Sequence, residues 1–376
     1  MSLAGLEVKV VGGGIGGLSV ATVLAQRGAN VVLYEQAKSV HAVGAGVQIS
    51  ANGQMVLHAL SVADGLSRYV SGGTDVFVGS TGRFLARVPS PKAGATWYVH
   101  RADLLTVLYE AALAAGVQFI FGKHLSPSLS DCEHDSDLIV AADGCESTWR
   151  CWVDGPVSSS FSGQVAWRAL ITLDEPLMLR RSSLLALGRG MHVVAYPIGE
   201  GSVINVVAVE SRDRWMQDVW RHRGCLEDFR SIFGGFNGAA GDWLKRVETV
   251  HVWGLHVRPM AKRWYVRNVV LLGDAVHPSL PFIAQGACLA LEDGWVLVDA
   301  LERSSNVDEG LALYVQARYQ RVSKVVALAR RNAFLFHLPR PWSYGVHLAM
   351  QIGADKVSQR LEWVYVYDAT RILSSR

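Results

Sequence analysis

Six residues near the start of the chain leave the backbone little freedom in how it folds. Glu7 to Val11 is a short apolar run suited to a buried parallel strand. Gly12-Gly13-Gly14-Ile15-Gly16-Gly17 follows directly and satisfies G-x-G-x-x-G. Leu18, Val20, Ala21, Leu24 and Ala25 then recur with a helical period, and Arg27-Gly28 supplies a stop. Asn30 to Tyr34 reads as a second buried strand, with Glu35 at its end, 18 residues after Gly17. In such a unit Gly12 permits the tight turn, Gly14 lets backbone N–H groups approach a pyrophosphate, and Gly17 lets helix and strand pack closely. The helix N-terminus faces the phosphates, and Glu35 is placed to accept hydrogen bonds from an adenosine ribose. The pattern predicts a dinucleotide site but does not decide between NAD and FAD.

Composition removes several other readings. Residues 10–26 carry no charge, yet they include five glycines with Ser19, Thr22 and Gln26, and no basic segment precedes them, which argues against a membrane span or signal peptide. Half of the 376 residues are hydrophobic and 18% are charged, which excludes a disordered chain. The net charge of +3 is scattered. Its densest stretch, Arg212 to Arg223, is broken by Asp213, Trp215, Asp218 and Trp220, so neither nucleic acid nor a membrane surface is expected as a partner. The five cysteines (Cys132, Cys145, Cys151, Cys225, Cys288) form no C-x-x-C, and no His/Cys/Asp cluster has metal-ligand spacing. No metal is expected, and the odd cysteine count suggests reduced thiols in the cytoplasm. Residues 1–96 hold 16 of the 37 glycines and none of the 12 tryptophans, so the two ends of the chain are built for different tasks.

Two later segments narrow the dinucleotide. Ser136 to Ala142 reads as a strand running into Asp143-Gly144, and Asn268 to Leu272 as another running into Gly273-Asp274-Ala275-Val276-His277-Pro278. Ser279 to Ala287 and an apolar helix from about Cys288 to Leu301 follow. With the Gly-rich turn, the D-G segment and the G-D-x-x-H-P segment in this order, the sequence resembles the para-hydroxybenzoate hydroxylase family of FAD-dependent aromatic hydroxylases. The branch containing salicylate hydroxylase, 3-hydroxybenzoate 6-hydroxylase and 6-hydroxynicotinate hydroxylase is the most similar. Gly44-Ala45-Gly46-Val47-Gln48-Ile49, His100 to Leu105 and Gln164-Val165-Ala166-Trp167-Arg168 support the resemblance, which spans nearly the whole chain.

The resemblance implies an α/β fold: a Rossmann-like FAD-binding domain, a β-rich substrate domain and C-terminal helices. The FAD domain is expected in three parts (1–70, 98–152 and 263–330), the substrate domain in two (71–97 and 153–262), with a helical segment over 331–376. FAD would rest on Gly12, Gly14, Gly17 and Glu35, with Gly46 and Val47 alongside. Arg101 would hold the pyrophosphate and ribityl region, Asp143 would support the pyrophosphate end and the nicotinamide approach, and Asp274 would accept a ribityl hydroxyl. The helix beginning near Gly286 and Ala287 would aim its N-terminus at the flavin, stabilising negative charge on the reduced ring. No second G-x-G-x-x-G follows a strand, so NADH or NADPH is expected as a transient co-substrate. The implied reaction uses O2 through a C4a-hydroperoxyflavin to hydroxylate a small hydroxylated aromatic, expected to be a carboxylate. Epoxidation, heterocycle oxygenation, or flavin binding without hydroxylation are the alternatives. A monomer or homodimer would suffice.

The region between the later fingerprints should roof the substrate. Phe161 to Leu173, Met191 to Pro197, Ser202 to Glu210 and Val247 to Val257 read as strands, and Arg214 to Phe233 as a helix. His192 and Tyr196, four apart on a strand, share one face. Relatives with this spacing imply His192 as the base for the phenolic proton and Tyr196 as a second catalytic group. Pro281 and Phe282 fall where the family lines its substrate pocket, and both are apolar here. Helices are expected from about Gly310 to Phe336 and from Trp342 to Tyr367, with a break at Pro339 and Pro341.

Overall fold

A computed structural model describes residues 1–40, 46–127, 136–177, 182–215, 222–338 and 342–373. Gly44, Ala45, Pro339 and Pro341 lie outside the described residues.

The Gly-rich unit folds as its pattern requires. Strands Glu7–Val11 and Asn30–Glu35 pair in parallel through helix Ile15–Gln26, whose residues Gly17 to Leu24 are buried. Leu138–Ala141 lies on the other side of Glu7–Val11, then Val269–Leu271, while Gln118–Phe121 borders Asn30–Glu35, all in parallel. Tyr265–Val266 adds an antiparallel edge. The segments at Asp143 and Gly273-Asp274 thus leave the C-terminal ends of the two parallel strands that lie in succession on one side of the first. Ligands bind at that edge of an open parallel sheet.

Among the described residues a second sheet has eight strands. Its order is His222–Arg223, His251–Val257, Ser160–Thr172, Val203–Ser211, Met191–Ile198, Ser183–Leu187, Gly73–Val78 and Phe84–Pro89. It is antiparallel except where Ser183–Leu187 runs parallel to Gly73–Val78. A small third sheet joins Gly46–Ile49, Thr96–His100 and Tyr69–Ser71. Alternation divides the faces of the large sheet. Val165, Trp167, Val193 and Ala195 pack with Phe229 and Phe233, whereas Ala166 and Val209 face Leu280 and Phe282.

Three sequence readings need adjustment. The helix expected from Arg214 begins only at Leu226 and ends at Phe233, with strand His222–Arg223 before it. Cys225 is extended and Gly224 is pressed against Trp167, where a Cβ would meet the ring at 2.7 Å, so the helix cannot extend back through these residues. The strand expected from Val247 starts at His251. Ser183–Leu187, buried throughout, was missed because a short apolar run without alternation carries no distinctive period.

Helix Gly286–Glu302 packs against Ile15–Gln26 and Val307–Phe336. Helix Trp342–Tyr365, interrupted at Gly353, lies against strand Phe84–Pro89. Among the described residues no helix is long and apolar enough to cross a membrane.

Candidate active site

A cavity of about 530 Å³ opens where the parallel sheet, the large sheet and the start of helix Gly286–Glu302 meet. Its two ends differ in chemistry.

The first end is built from backbone and charge. Gly12 takes a φ of +102°, and a Cβ there would sit 2.5 Å from the Ala142 carbonyl oxygen. That turn delivers Gly14, Ile15 and Gly16 to the cavity wall. Gly14 is the extended N-cap of helix Ile15–Gln26 and no side chain caps it, so the N–H groups of the first turn are suited to an anion. A Cβ on Gly14 or Gly144 would meet no atom within 4 Å. Arg101 and Asp274 line the same end, each favouring the other's charged form. The Asp274 side chain reaches into the cavity but is ringed by protein. Desolvation therefore raises its carboxyl above the usual range, against the opposing pull of His277 and Arg101.

The turn carrying Asp274 is held from beneath. His277 Nε2 lies 2.5 Å from Asp293 Oδ2, which also accepts from the Gly273 N–H at 3.3 Å. Asp293 and Glu292, both buried, face Arg318, and Glu292 also pairs with Arg321 at 2.6 Å. Asn52 Nδ2 donates to Glu292 at 2.6 Å and to Gln285 at 2.9 Å, and Gln285 is the N-cap of helix Gly286–Glu302. Gly286 and Ala287, the first residues of that helix, line the cavity. Sequence reasoning missed this buried network, because Glu292, Asp293, Arg318 and Arg321 read as ordinary helix residues until two helices bring them together.

Four of the named residues stand behind the wall. Gly12 and Gly17 shape the turn without lining the cavity. Glu35 accepts from the Gly13 N–H at 2.6 Å and the Ala37 N–H at 2.7 Å, tying the turn to its neighbouring strand. Asp143 Oδ2 accepts from the Thr148 N–H at 3.0 Å, ahead of helix Thr148–Asp154. Its buried Oδ1 has no hydrogen-bond partner, and desolvation raises the carboxyl, with Ser147 and nearby N–H groups opposing. Its neighbours Ala142 and Gly144 reach the cavity.

The second end is largely apolar. His192, Val194 and Tyr196 point into it from alternate positions of strand Met191–Ile198, beside Leu185, Val207, Val209, Pro281, Phe282 and Phe336. Polar side chains here include Gln48, Thr74, Arg168, Ser183, His192 and Tyr196. Tyr196 packs against Tyr98 with the rings tilted by 38° and centroids 4.7 Å apart, and burial pushes its hydroxyl up to about 12, so it remains a neutral phenol. His192 sits among Phe282, Phe336 and His337, with centroids at 5.4, 5.3 and 5.0 Å. Burial drives its pKa well below the usual value, and the neighbouring His337 adds to the shift. Arg168 lies in a segment matched by resemblance but was given no role. Its guanidinium lies 5.3 Å from the Trp253 ring centroid.

These residues fit an extended dinucleotide carrying a flat ring. Open backbone and a helix N-terminus would meet the phosphates, Arg101 and Asp274 line the middle, and a second helix N-terminus stands where a ring would begin.

Comparisons with known proteins agree. The family described as FAD binding domain matches residues 5–329. The 3-amino-4-hydroxybenzoate 2-monooxygenase PtnB3 of Streptomyces platensis is 31% identical, covering 97% of each chain. The 3-hydroxybenzoate 6-hydroxylase of Polaromonas naphthalenivorans (strain CJ2) is 30% identical, covering 99% of this chain and 98% of its own. A salicylate hydroxylase substrate complex shares the fold with a TM-score of 0.83 at 23% identity, covering 99% and 98% of the two chains.

Proposed function

The chain belongs to the FAD-binding family of para-hydroxybenzoate-hydroxylase-like monooxygenases, and we propose that it hydroxylates a small aromatic carboxylate already bearing a hydroxyl group. It is an FAD-dependent monooxygenase with NADH or NADPH as electron donor and O2 as oxidant. The two-ended cavity carries the substrate reading: a dinucleotide cradle opens into a largely apolar chamber where Arg168, His192 and Tyr196 are among the few polar side chains.

Bound FAD supplies the reduced ring that activates O2. The protein's own residues do the rest. Gly14 and the first turn of its helix bind phosphate, supported by the Gly12 turn, Gly17 packing and the Glu35 tie. Arg101 and Asp274 hold the middle of the cofactor beside Gly46 and Val47, while Asp143 supports the turn at Gly144. The helix starting at Gly286 and Ala287 presents positive potential to the ring. Arg168 pairs with the substrate carboxylate, a task suited to a guanidinium fork. His192 and Tyr196 contact the substrate hydroxyl, and Pro281 and Phe282 exclude water from the face of the ring.

The curated relatives of Streptomyces act on 3-amino-4-hydroxybenzoate, which makes that compound the first substrate to test. The free thiols of Cys151 and Cys225 suit a reducing compartment, and we infer a cytoplasmic monomer or homodimer. The test is direct. Purified holoprotein is mixed with NADH or NADPH and hydroxylated and non-hydroxylated benzoates and nicotinates. The reading expects substrate-stimulated NAD(P)H oxidation and a product heavier by one oxygen. Oxidation yielding only hydrogen peroxide across the panel, or a protein that takes up no FAD, overturns it.

A further inference from the structure

We propose that His337 is a positioning residue that fixes the tautomer of His192, so that His192 offers an Nε2–H donor to the oxygen of a bound phenolate. This rests on the reading above that His192 meets the substrate hydroxyl. It changes what His192 does there, from accepting a proton to donating a hydrogen bond.

Gln164 is a buried residue of strand Ser160–Thr172. Its amide nitrogen donates to the Ala333 carbonyl at 3.2 Å. Ala333 sits in the last turn of helix Val307–Phe336, where carbonyls lack partners within the helix. Turning the amide over would set its oxygen against that carbonyl, acceptor against acceptor. That contact favours this orientation, in which Gln164 Oε1 finds no hydrogen-bond partner among the described residues. The same amide nitrogen meets His337 Nδ1. The Ala333 carbonyl, already bonded to Gln164, also lies within reach of this ring and keeps a second lone pair, so the close Gln164 Nε2–His337 Nδ1 contact is what sets the direction.

A neutral imidazole has one N–H and one acceptor nitrogen. With His337 Nδ1 facing a donor, its hydrogen belongs on Nε2, which lies 3.0 Å from His192 Nδ1. His192 Nδ1 is then the acceptor, and the His192 hydrogen belongs on Nε2. Both rings favour the neutral state, since burial lowers His192 well below its usual value and His337 to about 4. The reverse order sets N–H groups of Gln164 and His337 against each other at that close contact, donor against donor, with only the shared Ala333 carbonyl to receive the His337 hydrogen.

The consequence for the reaction is specific. His192 lines the cavity, and with Nδ1 engaged, Nε2 is the nitrogen that faces a bound molecule. An N–H there stabilises a phenolate oxygen but has no lone pair for a phenolic proton. The O–H bond breaks with its electron pair left on oxygen, and the proton passes to water as the substrate binds. His337 enters from the end of the helix that follows the cofactor domain, far in sequence from the substrate sheet.

The test uses FAD-loaded enzyme and two variants. His337→Phe keeps ring volume and removes the donor. His337→Gln restores an amide N–H where Nε2 stood. Binding of 3-amino-4-hydroxybenzoate and of 3-aminobenzoate, which lacks the hydroxyl, is read from the flavin absorbance change. His337→Phe should weaken the hydroxylated ligand by about tenfold relative to its partner, with kcat falling more than KM rises, and His337→Gln should recover most of both. Equal losses for the two ligands, or no loss for either, overturn the proposal. A second measurement needs no ligand. In 15N-histidine-labelled protein, hydrogen should reside on Nε2 of His192, and hydrogen on Nδ1 overturns the assignment. If wild type binds neither ligand, the proposed substrate class fails while the labelled protein still decides the tautomer.

Discussion

A Cβ on Gly17 would stand 1.9 Å from the carbonyl oxygen of Gly12, whereas a Cβ on Gly14 would find open space. The two glycines of one motif are therefore constrained by different things, the first by the fold and the second by the ligand. Gly17→Ala should destabilise the protein by roughly 3 kcal/mol or more, because the clash is with backbone. Gly14→Ala, at an ordinary φ of −78°, should leave the urea midpoint nearly unchanged and weaken FAD about tenfold. Urea titration with FAD titration of the apoprotein separates them, and parallel losses in both variants would contradict the division.

Arg318 is fully buried between Glu292 and Asp293. Burial by itself raises both carboxyls, but Arg318 with Arg321 at Glu292, and His277 with Arg318 at Asp293, outweigh it and hold both below their usual values. Such depressed groups stabilise the fold above their unfolded values of 4.5 and 3.8, and that stability is lost as pH falls through the lower folded values. Arg318→Met removes the guanidinium shared by two buried carboxylates, leaving Arg321 at Glu292 and His277 at Asp293, and should cost about 3 kcal/mol at neutral pH. Calorimetry across an acid series checks both statements; a variant as stable as wild type contradicts the first.

The histidine pair also loses stability on acidification, but in a higher pH window. An unfolded histidine titrates near 6.5, while folded His337 titrates at about 4 and His192 well below its usual value. Between those limits the unfolded chain binds more protons, so stability declines as pH drops from neutral. For His337 the decline should be about 1–2 kcal/mol between about pH 7 and about pH 5. His337→Phe should remove that part of the slope. An unchanged slope in urea midpoints would mean that His337 is not held neutral.

Much of this was legible in the sequence, for physical reasons. A glycine that must admit a pyrophosphate leaves a local signature, so the Gly12–Gly17 turn, Glu35 and the apolar strands around them could be read directly. The period of two in Met191 to Pro197 placed His192 and Tyr196 on one face, and both line the cavity. The partners made by long-range packing could not be read. His337 meets His192 across 145 residues and Glu292 meets Asn52 across 240, and no local pattern encodes either. Helix Leu226–Phe233 was overextended because Trp215 and Trp220 sustain a periodicity that Gly224 interrupts.

The cysteines should differ sharply in reactivity. Cys151 and Cys225 are exposed, while Cys288 is buried against Ser50 with its thiol pushed up to about 11. Brief alkylation at about pH 8 should label the first two and spare Cys288, since the thiolate is the nucleophile. Peptide mapping by mass spectrometry reads the outcome, and rapid labelling of Cys288 in folded protein would show that the cavity floor opens.

That floor continues into the distal part of the chain. From the N-cap Gln285, bonds pass through Asn52 and Glu292 to Arg321, which donates to the carbonyls of Trp363 and Val364 and lies 3.8 Å from the Tyr367 ring centroid. Exchange of distal helices between related enzymes is thus constrained: a grafted segment lacking acceptors for Arg321 strands a charge beneath the flavin platform. Chimaeras should succeed when Asn52, Glu292 and Arg321 travel with the graft, which makes this distal segment part of the inheritance of the cofactor site.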